Sequence, residues 1–143
     1  MGFLIDTNVV SEWVKPCPNA AVAAWLAEAE EDEVFLSVIT LTELRYGVER
    51  MPKGRRRTRL SLWLENELPS RFEGRILAVD AAVADACGKL VARCDAAGRP
   101  IEAMDAFLAA TAEVRHLILV TRNTSHFQPV LKALLNPWVH PVS

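Results

Sequence analysis

Short apolar runs alternate along the chain with longer stretches in which apolar residues return every three or four positions. The short runs are Phe3-Leu4-Ile5, Val34-Phe35-Leu36, Ile76-Leu77-Ala78-Val79 and Leu117-Ile118-Leu119-Val120. Continuous hydrophobicity over so few residues marks strands buried on both faces. The first, a strand over 3–6, enters a helix through Asp6-Thr7-Asn8. After Pro16, Pro18 and Asn19, the segment AAVAAWLAEAE (20–30) is an amphipathic helix. Ser37 to Thr40 lead into a helix carrying Glu43, Leu44 and Val48 that closes near Pro52 and Gly54. A further helix shows Leu60, Trp63, Leu64 and Leu68 on one face and ends at Pro69. Asp80 caps a long helix holding Val83, Cys87, Leu90, Val91 and Cys94, which closes at Gly98. MDAFLAATAEV (104–114) is another helix, and the tail LLNPWVHP (134–141) adds a short edge strand.

Strands alternating with helices predict an α/β fold, a parallel sheet covered on both faces. Its 143 residues suffice for one domain with a sizeable core. In such sheets ligands gather at the carboxyl ends of the strands, where Asp6 and Asn123 fall.

Composition narrows the function only a little. Half the residues are apolar (51%), 24% are charged, and the formal net charge is −2. Nucleic-acid binding therefore has to rest on a local patch. Cys17, Cys87 and Cys94 lack zinc-site spacing, and the last two fit a helix's buried face. No apolar stretch reaches membrane-spanning length, so a reducing, cytoplasmic setting without membrane contact is expected.

The acids carry the candidate chemistry, and each also has a structural explanation. Asp6 can cap the helix that follows it. Thr40-Leu41-Thr42-Glu43 matches a capping box, and Glu102 and Asp105 suit the first turn of a helix. Yet Asp6 ends the first strand, Glu43 lies in the helix after the second, and Asp105 opens the helix before the fourth. All three can point into one crevice. Carboxylates crowded there repel one another unless a cation offsets them, and hard oxygen donors select Mg²⁺, with Mn²⁺ as a substitute.

LIDTNVVSEW (4–13), SVITLTELRYGVER (37–50), GRPIEAMDAFLAATA (98–112) and LVTRNTSHF (119–127), with the closing LLNPW, resemble the successive blocks of PIN-domain ribonucleases, and most of all the VapC-type toxins of toxin–antitoxin pairs. The resemblance spans nearly the whole chain. It implies a Rossmann-like α/β/α sandwich with a short central parallel sheet, spanning residues 1–143, and a metal-dependent endoribonuclease. Asp6, Glu43 and Asp105 match the acidic metal-binding positions. The fourth position, often acidic in the family, is Asn123, a neutral oxygen donor that leaves a second metal ion weakly held. An Asp common before the Phe of the last block is replaced by His126, which suits RNA contact, proton transfer or an exposed loop. Asn8 and Thr121 are expected to orient carboxylates or waters, and Thr7 to serve the strand-to-helix turn. The resemblance further implies a homodimer and inhibition by a cognate antitoxin.

KGRRRTR (53–59) places Arg55, Arg56 and Arg57 near a helix start, where the dipole disfavours cations. That conflict points to RNA phosphates or an acidic protein segment as partner, against the plainer reading of a solvated face. Arg45, near Glu43, is a further candidate for the crevice mouth. Two competing functions fit less of the sequence. A phosphatase of haloacid dehalogenase type needs a second Asp where Asn8 stands, and a noncatalytic PIN-like binding module draws only on Asn123 and His126.

Overall fold

In the computed structural model, which describes residues 2–140, strands β1 (Phe3–Ile5), β2 (Val34–Ser37), β3 (Ile76–Leu77), β4 (Ile118–Val120) and β5 (Leu134–Leu135) form one sheet in the order β3-β2-β1-β4-β5. All pairings are parallel. The helices are α1 (Thr7–Val10), α2 (Ala20–Glu28), α3 (Val38–Glu49), α4 (Arg55–Leu62), α5 (Leu68–Arg71), α6 (Ala81–Ala96), α7 (Ala103–Arg115) and α8 (Thr124–Phe127).

Side chains alternate across a strand, and both directions are buried here. Leu4 and Leu119 enter a core shared with Val83, Leu90 and Leu108 of α6 and α7. Ile5 and Val120, the next residues along, enter the opposite core with Val9, Val22, Leu64, Leu68 and Phe72. Burying each of these aliphatic side chains contributes about 1.5–3 kcal/mol, so the sheet is fixed from both sides. The expected tail strand is present: Leu134 and Leu135 pair with Leu119 and Val120. Cys87 and Cys94 lie in the α6–α7 core, as expected.

Two local expectations are overturned. The cap of α3 is Ser37, whose hydroxyl accepts from the Ile39 N–H at 3.0 Å. Strand β2 runs straight into that residue, so Thr40 is already inside the helix. It is fully buried and its hydroxyl has no hydrogen-bond partner, and Glu43 is left free for other contacts. Nor does Pro69 end its helix. From α4 the chain passes through a π-helical turn, Trp63–Glu67, into α5, and the Leu68 N–H donates to the Trp63 carbonyl. Proline lacks a donor and crowds the carbonyl four residues back; the wider turn ahead of Pro69 accommodates both defects.

The topology sets the site. From β1 the chain builds outward to β2 and β3, then crosses back over β1 to place β4 and β5 on its other side. The reversal opens a crevice beyond the carboxyl ends of β1 and β4.

Candidate active site

Asp6 is the first residue past β1. Its N–H continues the sheet, donating to the Val120 carbonyl at 2.9 Å, so the exits of β1 and β4 are locked side by side. Asp6 caps α1: Oδ1 accepts from the Thr7 N–H at 2.7 Å. Oδ2 accepts from the Thr121 hydroxyl at 2.8 Å and from Asn8 Nδ2 at 3.4 Å. Thr121 is itself fully buried, and its oxygen accepts from the Asn123 N–H at 3.1 Å. Asn8 Nδ2 also reaches Thr121 Oγ1 at 3.4 Å, and its Oδ1 accepts from the Arg122 N–H at 3.3 Å. Asn8 and Thr121, expected to orient carboxylates or waters, thus join Asp6 in a closed hydrogen-bond knot. Capping and site roles do not compete at Asp6; one carboxylate performs the first with Oδ1 and is aimed by Thr121 through Oδ2.

Three further carboxylates gather around this knot. Burial pushes the Asp6 carboxyl above its ordinary value, against the lowering effect of Thr121, the Thr7 N–H and Asn8. Glu43 is half-buried and raised as well, by burial first and then by the charges of Asp6, Asp105 and Glu102. Asp105, in the first turn of α7, is raised by burial and by Asp6 and Glu102. Side chains from distant parts of the sequence therefore feel one another's charge. Sequence reasoning missed two participants. Thr7, assigned to the turn, donates its hydroxyl to Glu43 Oε1 at 2.7 Å and so ties α1 to α3. Glu102, read as a helix-dipole residue, makes no side-chain cap on α7, and its charge acts on the crevice. Its signal was the three-residue spacing to Asp105.

No lysine or arginine among the described residues ion-pairs with these acids; the one opposing charge acting on them is His126, which lowers Asp105. No three His, Cys, Asp or Glu side chains among the described residues already form a metal-holding group. Magnesium, however, commonly takes one or two carboxylates and keeps several waters. The donor set, hard oxygens with uncompensated charge, fits a partly hydrated divalent cation.

The remaining candidates divide. Asn123 precedes α8 without capping it through its side chain, and His126 lies within electrostatic reach of Asp105. Arg45 is engaged elsewhere, donating to Ser61 at 3.0 Å and Glu65 at 3.2 Å. Arg57 pairs with Glu49 at 2.6 Å. Arg55 lines a groove of about 930 Å³ with Trp13, Arg59 and Arg71. Arg56 alone of the run shares a pocket with Glu43 and Thr7.

Comparison with known proteins identifies the family to which this fold belongs. The PIN domain family model matches residues 3–130. The chain is 39% identical to Toxin FitB of Neisseria gonorrhoeae over 135 residues, covering 94% of this chain and 97% of that protein. It is 37% identical to VapC ribonuclease Y4jK of Sinorhizobium fredii, over 94% of this chain and 96% of that one. Among solved structures, FitAB bound to an IR36 DNA fragment superposes with a TM-score of 0.90 at 36% identity, covering 97% of both chains.

Proposed function

The chain belongs to the PIN-domain family, in its VapC-type branch, and from that premise we propose that it is a metal-dependent endoribonuclease, the toxin of a toxin–antitoxin pair, hydrolysing phosphodiester bonds of cellular RNA. The observation that carries the reading is that Asp6, Glu43 and Asp105 act on one another's charge beside the topological switch point, with no lysine or arginine among the described residues ion-paired to them.

Asp6, Glu43 and Asp105 would hold Mg²⁺ or Mn²⁺, and a bound divalent ion supplies charge to polarise a phosphoryl oxygen and to acidify water. The protein's own part is positioning. Thr121 and Asn8 fix Asp6 Oδ2, so that carboxylate stays in place when substrate arrives. Thr7 aims Glu43 through Oε1. Asn123, on the exit of β4, offers a neutral oxygen where a second ion would need one. Burial puts Asp6 in a low local dielectric, where its electrostatic interactions are stronger.

Asn8 is consumed by the knot around Asp6, which agrees with a metal-binding role and not with the acid a phosphatase of haloacid dehalogenase type requires at that position. Partners proposed with this reading are an RNA substrate, a cognate antitoxin and a second copy of the chain. The name of FitB and the FitAB assembly support the antitoxin. Exposed Tyr46, Leu62, Met104 and Val139 supply apolar surface for protein contact. No helix among the described residues is long and apolar enough to cross a membrane, and the three free cysteines accord with the cytoplasm.

Purified protein incubated with structured RNA tests the proposal. Cleavage in Mg²⁺ or Mn²⁺ that stops with EDTA is expected. Intact RNA together with tight antitoxin binding would mark a noncatalytic module instead.

A further inference from the structure

A pocket of about 300 Å³ adjoins the acid crevice and is lined by Thr7 and Glu43 of the site together with Leu44, Gly47, Arg56 and Trp63. We propose that this pocket seats the nucleotide adjoining the scissile phosphate, with its base against Trp63 and Leu44 and its phosphate on Arg56; the assignment rests on the ribonuclease reading.

Four observations converge on it. The pocket shares Thr7 and Glu43 with the site, so a chain whose phosphodiester lies at the acids must pass its neighbouring residue along this wall. Its lining is apolar with an aromatic member, the surface on which an unstacked base packs irrespective of sequence. Arg56 gives its wall a cationic member, complementary to the next phosphate. And Arg56 has no ion-pair or hydrogen-bond partner among the described residues, whereas Arg57 is held by Glu49 and Arg45 by Glu65. Arg56 sits in the first turn of α4, whose start has no side-chain cap; a phosphate there would relieve the unfavourable placement of a cation at a helix N-terminus.

Gly47 supplies the test. A Cβ added there meets nothing within 4 Å, and Gly47 lies inside α3, where glycine is a poor helix former. Gly47→Leu therefore fills the pocket without straining the fold. Binding of a fluorescein-labelled ten-nucleotide single-stranded RNA is read by anisotropy in Ca²⁺, with the RNA confirmed intact by gel after each reading. Gly47→Leu is expected to weaken binding about tenfold, within the scale of one stacked base. Arg56→Gln is expected to flatten the dependence of log K on log salt by roughly 0.7, one phosphate contact on a single strand. Lys89→Gln, which removes an exposed cation paired with Asp85 on α6, controls for net charge and moves neither quantity. Circular dichroism confirms that Gly47→Leu is folded; if it is not, the Arg56→Gln salt slope decides alone.

Equal RNA affinity in wild type and both variants, including no binding by any of them, overturns the proposal. So does loss of antitoxin binding by Gly47→Leu with RNA affinity unchanged, which gives the pocket to the protein partner. Wild type that binds RNA with the expected variant losses, yet never cleaves it in Mg²⁺, would instead sink the ribonuclease reading and leave the nucleotide seat standing.

Discussion

Asp6 and Glu12 are six residues apart, both nearly inaccessible at 7% and 3% exposure, and electrostatically opposite. Burial pushes both carboxyls upward. At Glu12 it is outweighed by the ion pair with Lys15, the Asn19 N–H at 2.8 Å and the nearby charge of Arg122, and the net shift is down. At Asp6 three hydrogen bonds do not suffice, no cation is supplied, and the net shift is up. The same chain segment thus neutralises a buried acid where it needs only structure. It leaves unneutralised the acid whose charge acts on Glu43 and Asp105. On the proposed function, a divalent ion held by Asp6 and its neighbours would supply the charge that the chain does not.

The largest expected effects separate anchoring from charge. Asp6→Ala should lower RNA cleavage more than about 100-fold, beyond the range for removing a supporting partner. It should also lower folding stability by about 1–3 kcal/mol, because a helix cap is lost and the buried Thr121 hydroxyl is orphaned. Asp105→Asn should lower cleavage comparably while leaving the urea midpoint unchanged or raised, since it removes repulsion and no hydrogen bond. Equal destabilisation by both would reduce the crevice acids to capping residues.

Thr121→Val keeps the shape and deletes the donor to Asp6 Oδ2, and should cost about 10–100-fold in metal affinity and cleavage. Metal itself should stabilise the wild type at neutral pH, by about 2.7 kcal/mol at a hundredfold excess over Kd. Thermal denaturation of Asp6→Ala with and without Mn²⁺ should show almost none of that gain.

The smallest effect is on pH dependence, and it has opposite signs at the two acids. Asp6, Glu43 and Asp105 have folded values above the ordinary 3.8 and 4.5. The folded chain then holds more protons than the unfolded one between those values and the raised ones. Metal-free stability should fall as pH rises through that window, less so in Glu43→Gln/Asp105→Asn. Glu12 has a folded value below 4.5. Its contribution is present above 4.5 and lost as pH falls through the lowered value, so Glu12→Gln should blunt the acid-side loss in urea titrations.

Much of this was legible in the sequence, for identifiable reasons. The strand runs are continuous because both sheet faces are buried, and that pattern alone places Asp6 at the sheet's carboxyl edge. Particular hydrogen bonds across long separations were not legible. Nothing local to Thr7 signals its bond to Glu43, 36 residues away. The capping-box match at Thr40 was a false local signal, because β2 delivers Ser37 to the cap first. Pro69 misled for the complementary reason: a π-helical turn absorbs a defect that local rules treat as terminal. Arg55, Arg56 and Arg57 read as one patch in sequence, yet helical geometry sends them to a groove, the Glu43 pocket and an ion pair with Glu49, respectively.

Crystals soaked in Mn²⁺ and measured at the manganese absorption edge would decide whether the acid crevice is a cation site. An anomalous peak is expected about 2 Å from carboxylate oxygens of at least two of Asp6, Glu43 and Asp105. A well-ordered crevice with no peak, at Mn²⁺ concentrations that support RNA cleavage, would contradict it.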